Sequence, residues 1–269
     1  MIRPKTATPR GILKTATVNE PRIEHHRYHA SADLDPFIEH YWSVRWDLRG
    51  AAPQCAETLP HPSVHVVFED DGGARIGGVT RGKFSRMLEG KGGAFAIKFR
   101  PGGFYPFVQT SLSAFTDRVF PLDRVWGTAG ARLARNILGE DHDGRRIEIA
   151  EDFLRVCEPA VDETLSLITE IIQAIESDRG LVRVDDLVAR FGLPKRKLQR
   201  LFEKYVGVNP KWVIQRYRLH EAAAQLTSGA STQSALAIEL GYSDQAHFIR
   251  DFKAIVGTSP AAYAERGAG

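Results

Sequence analysis

Two stretches of this chain carry the same pattern fifty residues apart: FGLPKRKLQRLFEKYVGVNP at residues 191–210 and LGYSDQAHFIRDFKAIVGTSP at residues 240–260. The matching positions are Leu198 and Phe248, Arg200 and Arg250, Phe202 and Phe252, Gly207 and Gly257, and Pro210 and Pro260. The pattern extends backward with one slip, because Gly192 precedes Leu198 by six residues and Gly241 precedes Phe248 by seven. We interpret the two stretches as one structural unit that occurs twice, with one residue inserted in the second copy.

The first copy predicts an amphipathic helix from Pro194 to Tyr205. Its apolar residues fall within one narrow sector at about 100° per residue: Leu198, Leu201, Phe202 and Tyr205. Arg196 and Arg200 project from the opposite side of the same helix. An ordinary surface helix would also keep arginines on its wet face, so the helix alone does not decide between a solvated face and a binding face.

The second copy predicts a helix from Asp244 to Ile255, with Ser243 as its N-cap. Phe248, Phe252 and Ile255 point inward at helical spacing. The residues that point outward are Ala246, His247, Arg250 and Lys253. The second copy therefore repeats the apolar side of the first but carries a different polar face.

A shorter helix and a glycine precede each of these helices. The short helices are predicted at Val184–Phe191 and at Ser231–Leu240, followed by Gly192 and Gly241. Glycine adopts the positive φ that a sharp reversal often requires. A short helix, a turn and a second helix with a positive face are typical of the helix-turn-helix plan, in which the second helix enters the DNA major groove.

A long helix is predicted between the two units, from Asn209-Pro210 to about Thr227. Asn209 can cap the helix, and proline suits its first turn because the amide there needs no partner. Trp212, Leu219, Ala223 and Leu226 lie along one side. At about 28 Å this helix is close to the distance of about 34 Å between successive major grooves on one side of B-DNA. A further short helix is predicted from Ser259-Pro260 through Tyr263.

Charge is distributed unevenly along the 269 residues. Residues 181–269 contain 13 Lys and Arg against 8 Asp and Glu, whereas the remainder contains 23 against 25. Residues 194–218 hold eight basic residues and one acidic residue, Glu203. Because this basic cluster coincides with the first amphipathic helix, it favours nucleic acid as the partner.

Composition predicts a folded cytoplasmic protein. The chain is 43% hydrophobic, and its basic N-terminus lacks the apolar core of a signal peptide. No apolar run is long enough for a membrane span, so no membrane partner is expected. Two cysteines, Cys55 and Cys157, are too few for a disulfide framework or a thiolate zinc site, and no cofactor or metal is expected.

The C-terminal residues resemble the DNA-binding domain of AraC/XylS-type transcription regulators. The motifs that carry the resemblance are FGLPKRKLQRLFEKYVGVNP, then RLHEAAAQL at residues 218–226, then LGYSDQAHFIRDFKAIVGTSPAAY at residues 240–263. The resemblance implies seven helices, with two helix-turn-helix units joined by a rigid helix and both reading helices in successive major grooves. One departure is Pro194, where the family commonly has a serine cap.

The resemblance also implies which residues meet DNA. Those expected to read bases are Arg196, Lys197, Gln199 and Arg200 in the first unit and Gln245, Ala246, His247 and Arg250 in the second. From their position near the end of the first amphipathic helix and the start of the long helix, Lys204 and Lys211 are expected to contact phosphates, and Lys195 is expected to do the same. No catalytic residue is expected.

The N-terminal half resembles an uncharacterised domain fused to a subset of these regulators. The matching stretches are GIL at 11–13, HYWSVRWDL at 40–48, TLPHPSVHVVFE at 58–69, AFAIKFRPGGFYPF at 94–107 and FTDRVFPLDRVWG at 115–127. Short apolar runs at 64–68 and 94–99, broken by glycine-rich turns, predict a β-rich domain. Helices are predicted at 127–138 and 146–157. The family architecture implies a sensor or dimerisation role, which leaves a small-molecule effector, a homodimer and RNA polymerase open as partners.

Three other features allow a functional interpretation. His61 and His65 near Glu69 could bind a metal, although strand or turn histidines are the simpler interpretation. Arg100-Pro101-Gly102-Gly103 could form an anion-binding nest, although a tight turn between strands explains the glycines equally well. The aromatic residues between Phe104 and Trp126 could line a ligand pocket or simply form a core.

The sequence thus predicts an α+β protein that binds DNA in a sequence-specific manner and is not an enzyme. The β-rich domain covers residues 1–127, a helical connector covers 128–160, and the double helix-turn-helix domain covers 161–269. One alternative is a DNA-repair methyl-acceptor protein, which needs a reactive thiolate at a cysteine. Another is a nonspecific DNA-packaging protein, which two different reading faces do not favour.

Overall fold

A computed structural model describes residues 22–227 and 232–267 of the chain. The α+β prediction is confirmed: all described strands lie before Leu122, with only short helical segments among them, and the longer helices follow from Leu122 onward. The predicted start of a helix at Ser231 lies outside the described residues.

The N-terminal part is built on antiparallel strands. They are β1 (Ile23–Tyr28), β2 (Ile38–Asp47), β3 (Gln54–Thr58), β4 (His65–Glu69), β5 (Gly73–Gly77), β6 (Phe84–Leu88), β7 (Lys91–Phe99) and β8 (Val119–Pro121). Six of them form one sheet in the order β1-β2-β7-β4-β5-β8, while β3 and β6 pair as a separate ribbon. Residues 93–99 of β7 are buried without alternation, so this central strand is covered on both faces.

Three helices complete the N-terminal part: α1 (Tyr105–Val108), α2 (Leu122–Leu138) and α3 (Asp143–Val156). Helix α2 begins five residues before the predicted Gly127, which instead forms a kink with φ +57°. Helix α3 is tied to the sheet, because the Asp143 carboxylate accepts hydrogen bonds from Ser43 Oγ at 2.5 Å and Tyr28 OH at 2.9 Å. The predicted connector segment therefore packs on the sheet.

The loop after β7 is a tight turn, but it joins the strand to α1 and not to another strand. Gly102 has φ +84° and lies against Leu165 and Ile168, and a Cβ atom at Gly103 would meet the Phe37 backbone. The aromatic residues that follow form an edge-to-face cluster of core side chains, with Phe104 packed between Phe99 and Phe115.

Seven helices make up the C-terminal part of the described chain. They are α4 (Glu163–Ser177), α5 (Val184–Phe191), α6 (Lys195–Tyr205), α7 (Pro210–Thr227), α8 (Gln233–Glu239), α9 (Gln245–Val256) and α10 (Pro260–Gly267). Helices α5 and α6 form the first helix-turn-helix unit, α8 and α9 form the second, and α7 joins them. The final helix α10 continues beyond the predicted Tyr263.

Two apolar cores hold the C-terminal helices together. The larger core is continuous from the sheet into the first helix-turn-helix unit, where it includes Leu187, Leu198 and Phe202. The smaller core belongs to the second unit, but it also contains Leu59, which follows strand β3. The N-terminal part therefore contacts both units.

Candidate DNA-binding surface

Helix α6 follows a glycine turn, as the sequence predicts. Gly192 ends α5 in the left-handed conformation with φ +62°, and Pro194 occupies the N-cap of α6 without a side-chain hydrogen bond. Leu198 and Phe202 are fully buried. Burial of this apolar stripe fixes the rotation of the helix about its axis and so determines which residues face solvent.

The exposed side of α6 carries unpaired donors. Arg196, Lys197, Gln199 and Arg200 are all exposed. Within the described part of the chain, none of these four side chains has a hydrogen bond or ion pair. Guanidinium and amide groups in this state are available to acceptors on another molecule.

Helix α9 repeats this arrangement, with one correction to its start. Phe248 and Phe252 are fully buried, and Gly257 ends the helix with φ +83°. Asp244, not the predicted Ser243, is the N-cap, because its carboxylate accepts a hydrogen bond from the His247 amide at 2.7 Å. This bond also holds the pKa of Asp244 below its usual value. An aspartate in extended conformation directly before the first helical residue caps better than the serine one position earlier.

The outward residues of α9 differ from those of α6, because some of them have partners within the protein. Gln245, Ala246 and Arg250 are exposed, and Arg250 has no hydrogen bond or ion pair within the described residues. His247 Nε2 lies 3.5 Å from the Asp251 carboxylate, one turn further along the helix. Gln245 is a weak acceptor for Ser234 Oγ at 3.5 Å.

The three lysines predicted to meet phosphates differ in their surroundings. Lys195 Nζ is 2.9 Å from Asp185 Oδ1, and Lys211 is exposed. Lys204 Nζ lies 5.0 Å from the ring centroid of Tyr105, and a hydrogen bond to Tyr105 raises the pKa of the lysine. Lys204 of α6 therefore contacts Tyr105 of α1, in the N-terminal part of the protein.

Two arginines of the basic cluster, Arg216 and Arg218, are buried and cannot belong to an exposed DNA-binding face. Arg216 Nε donates to the Pro60 carbonyl at 2.7 Å, and Arg218 Nη1 donates to Glu221 at 2.8 Å. Local sequence does not reveal this burial, because it does not separate these two arginines from the exposed basic residues of the same cluster. A helix with buried residues all round is enclosed by its neighbours.

Helix α7 contacts both halves of the protein. Leu219, Ala223 and Leu226 are buried in the core of the second unit, as predicted. Trp212 is only half-buried and borders a cleft of about 450 Å³ that Arg81 and Asp117 of the N-terminal part also line. Of the α7 residues predicted to lie along one side, three are therefore in the core of the second unit, and Trp212 borders the cleft beside the N-terminal part.

A cluster of basic side chains joins α7 to the N-terminal sheet. His61 Nδ1 lies 2.6 Å from Arg216 Nη2 and 3.4 Å from Lys98 Nζ, and Lys98 pairs with Glu39 at 3.0 Å. The His220 ring is 5.6 Å from the His61 ring. Burial and the neighbouring cations lower the pKa of His61 well below its usual value, so the neutral imidazole can accept from the arginine.

Acidification should weaken this contact. Burial and nearby cations also lower the pKa of His65 to about 3 and that of His220 to about 2. Below about pH 6.5 the unfolded chain takes up protons that the folded histidines exclude, so stability present above that pH is lost as the pH falls. We expect the unfolding free energy to fall by up to about 1.4 kcal/mol per pH unit for each histidine between pH 6.5 and 5, less where solvent reaches the ring.

Thermal unfolding at pH 7.5 and 5.5 measures this effect. His220→Gln should reduce the difference in stability between the two pH values by the contribution of one histidine. His142→Gln is the matched control, because the His142 side chain is 89% exposed. An equal pH dependence in wild type and His220→Gln would show that His220 does not take part.

The other residues considered from the sequence are the candidates for a metal site and for a reactive thiol. Glu69 pairs with Arg75 and Arg86, and no group of three or more metal-binding side chains occurs among the described residues. Cys55 and Cys157 are free thiols, and burial raises the pKa of Cys157, which disfavours a thiolate. Of the helices in the described ranges, none has both the length and the apolarity needed to cross a bilayer.

Comparison with known protein families agrees with the two-unit architecture. Residues 187–266 match a helix-turn-helix domain family, and residues 26–121 match a domain of unknown function, DUF6597. These are the regions in which the structure shows the paired helix-turn-helix units and the sheet. Together they describe a protein with a β-rich N-terminal part and a helix-turn-helix C-terminal part.

Several regulators are similar to the C-terminal part. The HTH-type transcriptional activator AarP of Providencia stuartii is 34% identical over 99 residues, which are 36% of this chain and 73% of AarP. The probable transcription factor PqrA of Proteus vulgaris is 30% identical, and the match covers 42% of this chain and 88% of PqrA. For the F1 operon positive regulatory protein of Yersinia pestis, which is 35% identical, the match covers 33% of that protein.

One solved structure is also similar to part of this chain. The crystal structure of a probable AraC family transcriptional regulator from Rhodopseudomonas palustris is 28% identical, with a TM-score of 0.33 over 37% of this chain and 94% of that chain. The chain belongs to the AraC family of helix-turn-helix transcriptional regulators. It is a sequence-specific DNA-binding regulator of transcription.

Proposed function

We propose that the protein reads two successive major grooves, with α6 in one groove and α9 in the next. The observation that carries this proposal is the matched pair Arg200 and Arg250. Each arginine is exposed, lacks an ion pair in the described structure and lies opposite a fully buried phenylalanine stripe. The 18 residues of α7 span about 27 Å, which suits helices that enter adjacent grooves.

The residue roles follow from this arrangement. Bases are read in the first groove by Arg196, Lys197, Gln199 and Arg200, and in the second by Gln245, Ala246, His247 and Arg250. Lys195 and Lys211 contact phosphates, and Lys204 does so with its ammonium group still near Tyr105. Because Ala246 and His247 stand where the first unit has longer basic chains, the two half-sites differ in sequence.

The N-terminal part, proposed as residues 1–127 with a connector at 128–160, supplies regulation. A small-molecule effector, a second copy of the chain and RNA polymerase are its proposed partners, in the cytoplasm. The continuous core between the sheet and the first unit supports a regulatory role, because a change in the sheet would be transmitted to α6 through packed side chains.

Footprinting of the full chain on DNA selected from a random pool tests the proposal. We expect one protomer to protect an asymmetric site of about two helical turns, with two protected grooves on one face of the duplex. A protected region limited to a single groove would contradict the two-groove reading. Equal protection of scrambled DNA would favour the DNA-packaging alternative instead.

A further inference from the structure

The N-terminal part contacts the end of both reading helices. Helices α6 and α9 each end near the repeated glycine, Gly207 with φ +94° and Gly257 with φ +83°. In both units this glycine lies against N-terminal residues, since a Cβ atom there would come within 2.8 Å of Leu112 O in one case and 2.9 Å of Lys83 in the other. The repeated glycines therefore permit close approach as well as a turn.

The first unit is held by the segment after α1. Thr116 Oγ1 donates a hydrogen bond to the Gly207 carbonyl at 2.5 Å, and Ser111 Oγ donates to the Glu203 carbonyl at 3.3 Å. The Tyr105 and Tyr205 rings pack with their centroids 4.1 Å apart. These contacts fix the C-terminal end of α6 in position relative to the sheet.

The second unit is held by the end of the β3–β6 ribbon. Leu59, directly after β3, is buried in the same core as Phe248 and Phe252 of α9. Lys83, directly before β6, lays its methylene groups beside Gly257, and its ammonium group pairs with Glu57 of β3. The ribbon thus fixes the C-terminal end of α9 through an apolar contact and a close approach to the backbone.

Helix α7 is a single connection between the two reading helices, and a helix of 18 residues still bends slightly along its length. The N-terminal part adds a second connection between them, which runs from α6 through Thr116 and the sheet to Leu59 and Lys83 at α9. The buried Arg216, bonded to the Pro60 carbonyl, attaches the middle of α7 to the same part. Two independent connections between two bodies restrict their separation and their angle more than one connection does.

We infer that the N-terminal part sets the spacing between half-sites that the regulator accepts, with Thr116, Leu59 and Lys83 as positioning residues. This inference rests on the proposed two-groove reading. One added base pair moves a half-site by about 3.4 Å and turns it by roughly 35° about the duplex axis. A rigid pair of reading helices cannot follow that change, whereas a pair joined by α7 alone can follow part of it.

The test compares three duplexes that carry the selected half-sites at native spacing, with one base pair inserted, and with one deleted. The measured quantity is the ratio of affinities for native and shifted spacing. The full chain is used as wild type, as Thr116→Val with Lys83→Ala, and as Lys83→Ala alone. The matched control combines Thr128→Val with Lys91→Ala, because both residues are exposed on the N-terminal part and, in the described structure, neither bonds to the helix-turn-helix units.

Wild type and control should prefer native spacing, by roughly tenfold or more. The double variant should lower that ratio by at least about threefold, because it removes contacts that hold the two reading helices at a fixed angle. Partial unfolding would reduce binding to all three duplexes alike and leave the ratio unchanged. Lys83→Ala alone keeps the test decisive if the double variant does not fold.

Two results would overturn the inference, and they are distinguishable. If wild type prefers one spacing and both variants keep the same ratio, the N-terminal part does not set the spacing, although the two-groove reading stands. If wild type binds all three duplexes equally, the two-groove reading itself fails.

Discussion

Phe252→Ala is expected to destabilise the second helix-turn-helix unit by about 3–5 kcal/mol. Phe252 is fully buried, and its ring centroid lies 5.7 Å from those of Phe248 and Tyr263. Truncation would leave a cavity in the core of the second unit, because close-packed neighbours relax only partly into the space. Thermal unfolding should show the loss, and footprinting should show weaker protection of the groove assigned to α9.

Ile238→Ala is the matched control for this prediction. Ile238 lies on α8 of the same unit, but it is 79% exposed, so its truncation should change stability by less than about 0.5 kcal/mol. Equal melting temperatures for wild type and Phe252→Ala would contradict the core assignment. Loss of both protected grooves in Phe252→Ala would show that the two units bind DNA only together.

Arg200→Ala and Arg250→Ala should each weaken binding to the preferred site by about 1–3 kcal/mol and relax specificity at one or two base pairs. The physical reason is that an arginine with free donors pairs with guanine through two hydrogen bonds. The two variants should affect opposite ends of the site, because the arginines lie on α6 and α9. Titration against preferred and scrambled DNA at several salt concentrations measures both effects.

Arg132→Ala is the control for the arginine variants, since Arg132 is exposed on α2 outside the proposed surface. Lys211→Ala should instead weaken binding to all sequences alike and reduce the salt slope by about one unit. Equal losses of affinity on preferred and scrambled DNA for Arg200→Ala and Arg250→Ala would show that these arginines bind only phosphate.

Much of the C-terminal architecture could be predicted from local sequence. Helix α5 has the predicted bounds, and α6 and α9 differ from prediction by about one residue at an end. Each of these features depends only on residues close together in the chain. They are an apolar stripe at helical spacing, a glycine at the turn, and Asn209, which caps α7 by accepting a hydrogen bond from the Trp212 amide at 2.8 Å. The exposure of Arg200 and Arg250 follows from the burial of Phe202 and Phe252 on the same helices.

Local sequence predicted the starts of α9 and α2 less accurately. Serine and aspartate are both good N-caps, so local sequence does not separate Ser243 from Asp244, and only the backbone conformation shows that Asp244 fills the position. The sequence predicts a helix that starts at Gly127, whereas α2 starts at Leu122 and Gly127, with φ +57°, forms a kink within it.

The sequence by itself determined that this chain repeats a helix-turn-helix unit and which faces of α6 and α9 meet solvent. Helical periodicity is enough for that, because each helix must bury its own apolar stripe. Only the tertiary structure decided that Arg216 and Arg218 lie inside the protein and that Lys204 meets Tyr105. It alone showed that Leu59 and Lys83 reach the second unit. These are contacts between residues far apart in the chain, and a buried and an exposed arginine look the same in sequence when another domain covers the helix.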